Sequence, residues 1–143
     1  VLYSIASLSL YIFGIKIPRF YSVIGAISMS FDPVQMHEII EVMEDYLSKE
    51  RPPEHMRDEL DIGYQIEDQS ILIVEIRPQW KKPTVKGQYP YAKATFVKSK
   101  NYWKVFWLRA DMKWHAYTPK PTVKTLKKFL ELVDEDAYHC FKG

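Results

Sequence analysis

From Asp61 to Tyr117 the chain is a succession of short β-type runs, and most of the links between them are only two or three polar residues long. Links that short cannot carry a crossover, so consecutive runs must lie antiparallel, and an antiparallel meander is the sheet this stretch is able to build. Residues 61–67 alternate, with Ile62, Tyr64 and Ile66 pointing one way. Residues 71–76 are apolar on both faces except at Glu75, as suits a central strand. Pro78 stops that run, and residues 81–89 read as a polar loop. Three further strands are expected at 91–98, 102–109 and 112–117, joined at 99–101 and 110–111.

Helices flank the sheet. Asp32 is an N-cap and Pro33 a first helical residue, after which Met36, Ile39, Ile40, Met43, Tyr46 and Leu47 recur at helical spacing. The helix over 32–49 ends where Pro52 disfavours the α conformation at Arg51. Thr122 is read as the cap of a second helix with Val123, Leu126, Phe129, Leu130 and Val133 as its buried stripe. The order α-β-β-β-β-β-α gives an α+β fold: a mainly antiparallel five-stranded meander sheet flanked by an N-terminal and a C-terminal helix. With 47% hydrophobic and 27% charged residues, the composition is that of a globular domain rather than a disordered chain.

Charge is unevenly spread. Residues 32–75 carry thirteen acids against three bases, and residues 77–128 carry fourteen Lys and Arg against the single acid Asp111. The net charge of +2 conceals this. The first expectation is an internal acid–base match between these blocks within the fold; the alternative is an electrostatic surface for a partner. Cys140 is the one cysteine, so no intramolecular disulfide is possible, which fits a reducing cytosol and a cytoplasmic protein.

Residues 1–28 form an apolar leader interrupted only by Lys16 and Arg19. The uncharged run of 1–15 falls short of the roughly 20 residues that span a bilayer. No basic segment precedes it, which argues against a secretory signal. The residues from Met29 read as an ordinary protein start. The leader is therefore read as the product of a start assigned too far upstream, with a membrane anchor or a native structural extension as the alternatives, and 29–143 as a single domain. A membrane partner is not expected unless residues 1–28 are native.

Several phrases occur in a fixed order: Arg51-Pro52-Pro53, Glu59-Leu60-Asp61, Glu75-Ile76-Arg77-Pro78-Gln79-Trp80 and Ala92-Lys93-Ala94-Thr95-Phe96-Val97-Lys98. Trp103-Lys104-Val105-Phe106-Trp107, Arg109-Ala110-Asp111-Met112-Lys113-Trp114-His115 and a closing Cys140-Phe141-Lys142-Gly143 follow. This text, over about 29–143, resembles the bacterial family catalogued as domain of unknown function 3024. The resemblance implies the extent of the domain and nothing about mechanism.

Two constellations could carry chemistry. If Lys98 pairs with Tyr102 and Arg109 with Met112, then Lys93, Trp103, Trp107, Arg109 and Trp114 share one face of the sheet, with Trp107 beside Lys93 and Trp114. Such a stacking platform edged by cations suits single-stranded nucleic acid. Ala92, Ala94, Phe96, Phe106 and Leu108 then face a helix. The competing reading buries the tryptophans as core. Lysines at 81, 82, 86, 98, 100, 104, 120, 124, 127 and 128 would add phosphate contacts. The leading function is a non-enzymatic binding module for nucleic acid or an acidic protein surface. The enzymatic alternative rests on Asp61 with Glu75-Ile76-Arg77, similar to the Asp and Glu-x-Lys pattern of divalent-metal phosphodiesterases. Arg77 stands where that pattern has lysine, and arginine cannot serve as a base. A third reading docks the basic half on a larger complex or on the acidic helix of a second copy. His37, His55, His115, His139 and Cys140 lack zinc-ligand spacing, and the five glycines are scattered, so no cofactor is expected.

Overall fold

The structure, a computed structural model, describes residues 11–12, 15–16 and 31–143. The leader of 1–28 lies outside the described residues, apart from a two-residue antiparallel ladder of Tyr11–Ile12 with Ile15–Lys16.

Helix α1 is Pro33–Glu50, capped by Asp32, whose carboxylate accepts from Gln35 N at 2.8 Å. It buries Ile39, Met43, Tyr46 and Leu47, and it stops at Arg51, which is extended ahead of Pro52. A single 3-10 turn, Glu54–Met56, leads into the sheet. The strands are β1 (Asp61–Glu67), β2 (Ser70–Pro78), β3 (Lys86–Val97), β4 (Tyr102–Leu108), β5 (Trp114–Ala116) and β6 (Thr122–Val123). The first five form an antiparallel meander in sequence order, as the short links require. Helix α2 is Leu126–Glu135. Both helices pack on one face, where Phe31, Met43, Ile71, Ile73, Val105 and Phe129 form the centre of the core.

The far edge of β4 is shared. β5 pairs with residues 106–108, and β6 with Trp103 and Lys104. Between them Tyr117 N donates to Val105 O and Val105 N donates to Pro121 O, both at 2.9 Å, so residues 118–120 loop out. Residues 122–123 are thus spent on the sheet, and the helix cap moves to Thr125, whose hydroxyl accepts from Lys128 N at 3.2 Å. The 81–89 loop also differs from expectation. Residues 86–90 pair with 74–78, and a bulge beside Ile73 and Val74 accommodates Pro90 within the strand.

The register of β4 is shifted by one residue from the expected pairing. Val97, not Lys98, opposes Tyr102, because the link is the four residues 98–101 rather than three. Asn101 takes the left-handed conformation (φ 50°) that closes this turn, with Lys100 N bonded to Val97 O. A shift of one residue turns every β4 side chain over. Trp103, Val105 and Trp107 therefore join Ala92, Ala94 and Phe96 toward the helices, and Phe106 and Leu108 point away. The link from β4 to β5 departs in the same manner. Arg109 N bonds Lys113 O and Met112 adopts φ 62°, so Leu108 opposes Trp114.

Candidate functional site

The face of the sheet opposite the helices is where ring and cation meet. Pairing places Lys93 opposite Phe106, and Thr95 opposite Lys104, on this outer face. Tyr102 precedes them on β4 with the same alternation, and Trp114 enters from β5 opposite Leu108. Lys93 Nζ sits 5.0 Å from the Phe106 ring centroid and 4.7 Å from that of Trp114, within cation–π range of both. Partial desolvation lowers the Lys93 amine from the usual lysine value, and the charge of Glu67 acts against that shift. Lys104 is exposed, while Tyr102, Phe106 and Trp114 are half-buried. Tyr102 also lines a cleft of about 460 Å³ between the sheet edge and α2, with Lys120 and Lys124 beside it.

The expected contact set is therefore divided. Lys93 and Trp114 stay together. Trp103 is only 5% exposed and packs between Phe31 and Phe96, at centroid distances of 5.9 and 5.1 Å. Trp107 packs against the core from the helix side, with the Arg109 guanidinium 5.5 Å from its ring. Phe106 and Tyr102 take the places on the outer face that Trp107 and Trp103 were expected to fill. The signal that could have found them is Asn101, a residue type that tolerates the left-handed turn lengthening the link by one.

Asp61, Glu75 and Arg77 are not brought to one point. Asp61 pairs across from Ile76, whereas Glu75 lies opposite Ile62, so the two carboxylates alternate to opposite faces. The Asp61 carboxylate is held bidentately by Arg51 at 2.9 and 2.7 Å and also accepts from Ile62 N. Burial opposes its charge, and these bonds outweigh burial to hold the carboxyl below the usual range. Glu75 pairs with Arg77 at 3.4 Å. Among the described residues no three His, Cys, Asp or Glu side chains converge to hold a metal.

The acidic and basic blocks meet at Arg77–Glu75 and Lys86–Asp58, and Lys127 acts electrostatically on Asp45, but the ion pairs of the acidic helix run elsewhere. The side-chain pairs of α1 run to His37, to its own Lys49 and to Lys142 of the tail. Of the lysines and arginines between residues 77 and 128, only Arg77, Lys86 and Lys128 hold a carboxylate within 4.0 Å among the described residues. Lys98, Lys100, Lys104, Lys120 and Lys124 are left to solvent.

An open antiparallel sheet with two helices on one face and an aromatic, lysine-bearing face on the other makes this a small α+β domain. The family model described as domain of unknown function (DUF3024) matches residues 31–143, and the chain belongs to that family. No curated protein and no solved structure matches it. Among the described residues no helix is long and apolar enough to cross a membrane.

Proposed function

We propose that this domain is a non-enzymatic binding module for single-stranded nucleic acid, using the helix-free face of the sheet. The observation that carries this reading is the Lys93 ammonium held over the rings of Phe106 and Trp114 on that face. A base stacks on an aromatic ring whatever its sequence, and an adjacent ammonium meets the phosphate that follows. Tyr102 extends the row of rings, and Lys98, Lys100, Lys104, Lys120 and Lys124 supply cations free of carboxylates around it. A groove for duplex would need no rings; a row of half-buried aromatics favours unpaired bases.

The test is fluorescence anisotropy with labelled single- and double-stranded DNA and RNA across a salt series. Single strands should bind more tightly than duplex, with log affinity falling by roughly 0.7 per decade of salt for each phosphate neutralised. Trp114→Ala should weaken binding by about 1–3 kcal/mol while the protein remains folded. An acidic protein surface would engage the lysines without the rings. Retention of full affinity by Trp114→Ala, or no binding at low salt, would exclude the reading.

A further inference from the structure

The hairpin between β2 and β3 ends in a second feature of the same chemistry. Trp80, at its tip, is 89% exposed, whereas Trp103 in the core is 5% exposed. An indole left almost wholly in water forgoes the burial that usually fixes tryptophan in a fold. The tip is not slack. Gln79 N donates to Val85 O at 2.8 Å, Val85 N to Lys82 O at 2.9 Å and Lys82 N to Gln79 O at 3.2 Å. Lys81 and Lys82 follow the indole directly, both exposed and neither with a carboxylate within 4.0 Å among the described residues. Lys86, at the base of the tip, is by contrast tied to Asp58 at 3.0 Å. A ring presented from a hydrogen-bonded turn and followed by two free ammonium groups fits a flat base and its anionic phosphates. Strand β3 connects this tip to Lys93. Its rise of about 3.3 Å per residue puts Lys86 up to roughly 23 Å from Lys93.

We propose that Trp80, with Lys81 and Lys82, is a second stacking point for the same single strand that occupies the Lys93–Trp114 face, so that a long oligonucleotide touches both and a short one only the face. The inference rests on the reading of that face given above. A protein groove or an anionic membrane would also accept an exposed indole. Nucleic acid is favoured because the tip leads into the strand that carries Lys93 and again sets an exposed ring next to exposed lysines in the chain.

The experiment measures the affinity of the full chain and of its Trp80→Ala, Trp80→Phe and Trp114→Ala variants for single strands of about 4 and about 12 nucleotides. Expected is a loss of roughly 5- to 150-fold for Trp80→Ala on the longer strand, none on the shorter, and near-complete retention by Trp80→Phe. Trp114→Ala should weaken both lengths. The unfolding midpoint of Trp80→Ala should match the parent, since almost none of the ring is buried. If Trp114→Ala weakens binding and Trp80→Ala does not, the tip is no contact, while the reading of the face stands. If Trp80→Ala loses binding only to phosphatidylserine vesicles and keeps its oligonucleotide affinity, the tip serves a membrane and the inference is overturned. If no variant changes affinity for either strand, both readings fail together.

Discussion

Replacing Trp103 by alanine is expected to cripple the fold, whereas replacing its neighbour Phe106 is not, and the contrast tests the register on which the binding face depends. Trp103 is 5% exposed, with rings on two sides, Phe31 at 5.9 Å and Phe96 at 5.1 Å. Truncating so buried an indole costs about 3–5 kcal/mol, of which each ring pair supplies about 0.5–1.5. That is a large share of the roughly 5–15 kcal/mol that holds a domain folded. The thermal midpoint should fall by on the order of 15–25 °C. Phe106 lies on the other face and is half-buried. Its truncation should stay within about 1.5 kcal/mol, since the ring gives up only part of its contact area. Urea unfolding followed by circular dichroism measures both. Should Phe106→Ala prove the more damaging of the two, β4 pairs one residue away from the register described, and Trp107 rather than Phe106 faces Lys93.

Further outcomes follow from the polar contacts. Asp136 accepts from Phe141 N at 3.0 Å and Lys142 N at 2.8 Å, fastening the tail so that the Phe141 ring packs on Tyr117 at 4.9 Å. Asp136→Ala should cost about 1–3 kcal/mol and make residues 139–143 susceptible to carboxypeptidase. Burial opposes the Asp136 charge, but these N–H bonds dominate and hold its carboxyl below the usual value. Its stabilisation is therefore complete above the unfolded value, about 3.9, and fades as pH falls through the folded one. The difference between parent and variant in urea should accordingly shrink below about pH 4. Arg51→Ala leaves Asp61 buried without its bidentate partner and should lose roughly 1.5–3 kcal/mol near neutral pH, read from the same unfolding curves.

Much of this architecture is legible in the residues themselves, and the exceptions have a common cause. Asp32-Pro33 fixes the start of α1 because cap and ring act locally, and Arg51 ahead of Pro52 fixes its end for the same reason. The faces of β3 follow from alternation alone: Ala92, Ala94 and Phe96 turn inward as expected. The faces of β4 do not, because alternation says which residues share a side but not which side. That choice rests on turn length, and turn length rests on left-handed residues at Asn101 and Met112. Asparagine advertises that conformation; methionine does not. The two one-residue displacements add to a shift of two between β3 and β5, which restores the face, so Lys93 and Trp114 remain on one side even though Trp103 and Trp107 change sides. Charge was the least legible property. The block pattern suggested mutual neutralisation, but α1 and the basic half lie where few of their charges meet, and sequence position carries no information on that separation.

The interrupted margin beside β4 bears on how the molecule behaves in a crowd. A continuous outer strand offers a row of unsatisfied amides and carbonyls on which another chain can crystallise into a growing ribbon. Here that row is cut into pieces of three and two residues. The excursion between them contains Pro119, which like Pro121 just after it has no amide hydrogen to offer, and Lys120, whose charge repels a like neighbour. The same break that lets β4 keep partners on its outer margin thus denies a foreign strand a template there, and it protects the domain on this side from edge-to-edge aggregation at high concentration.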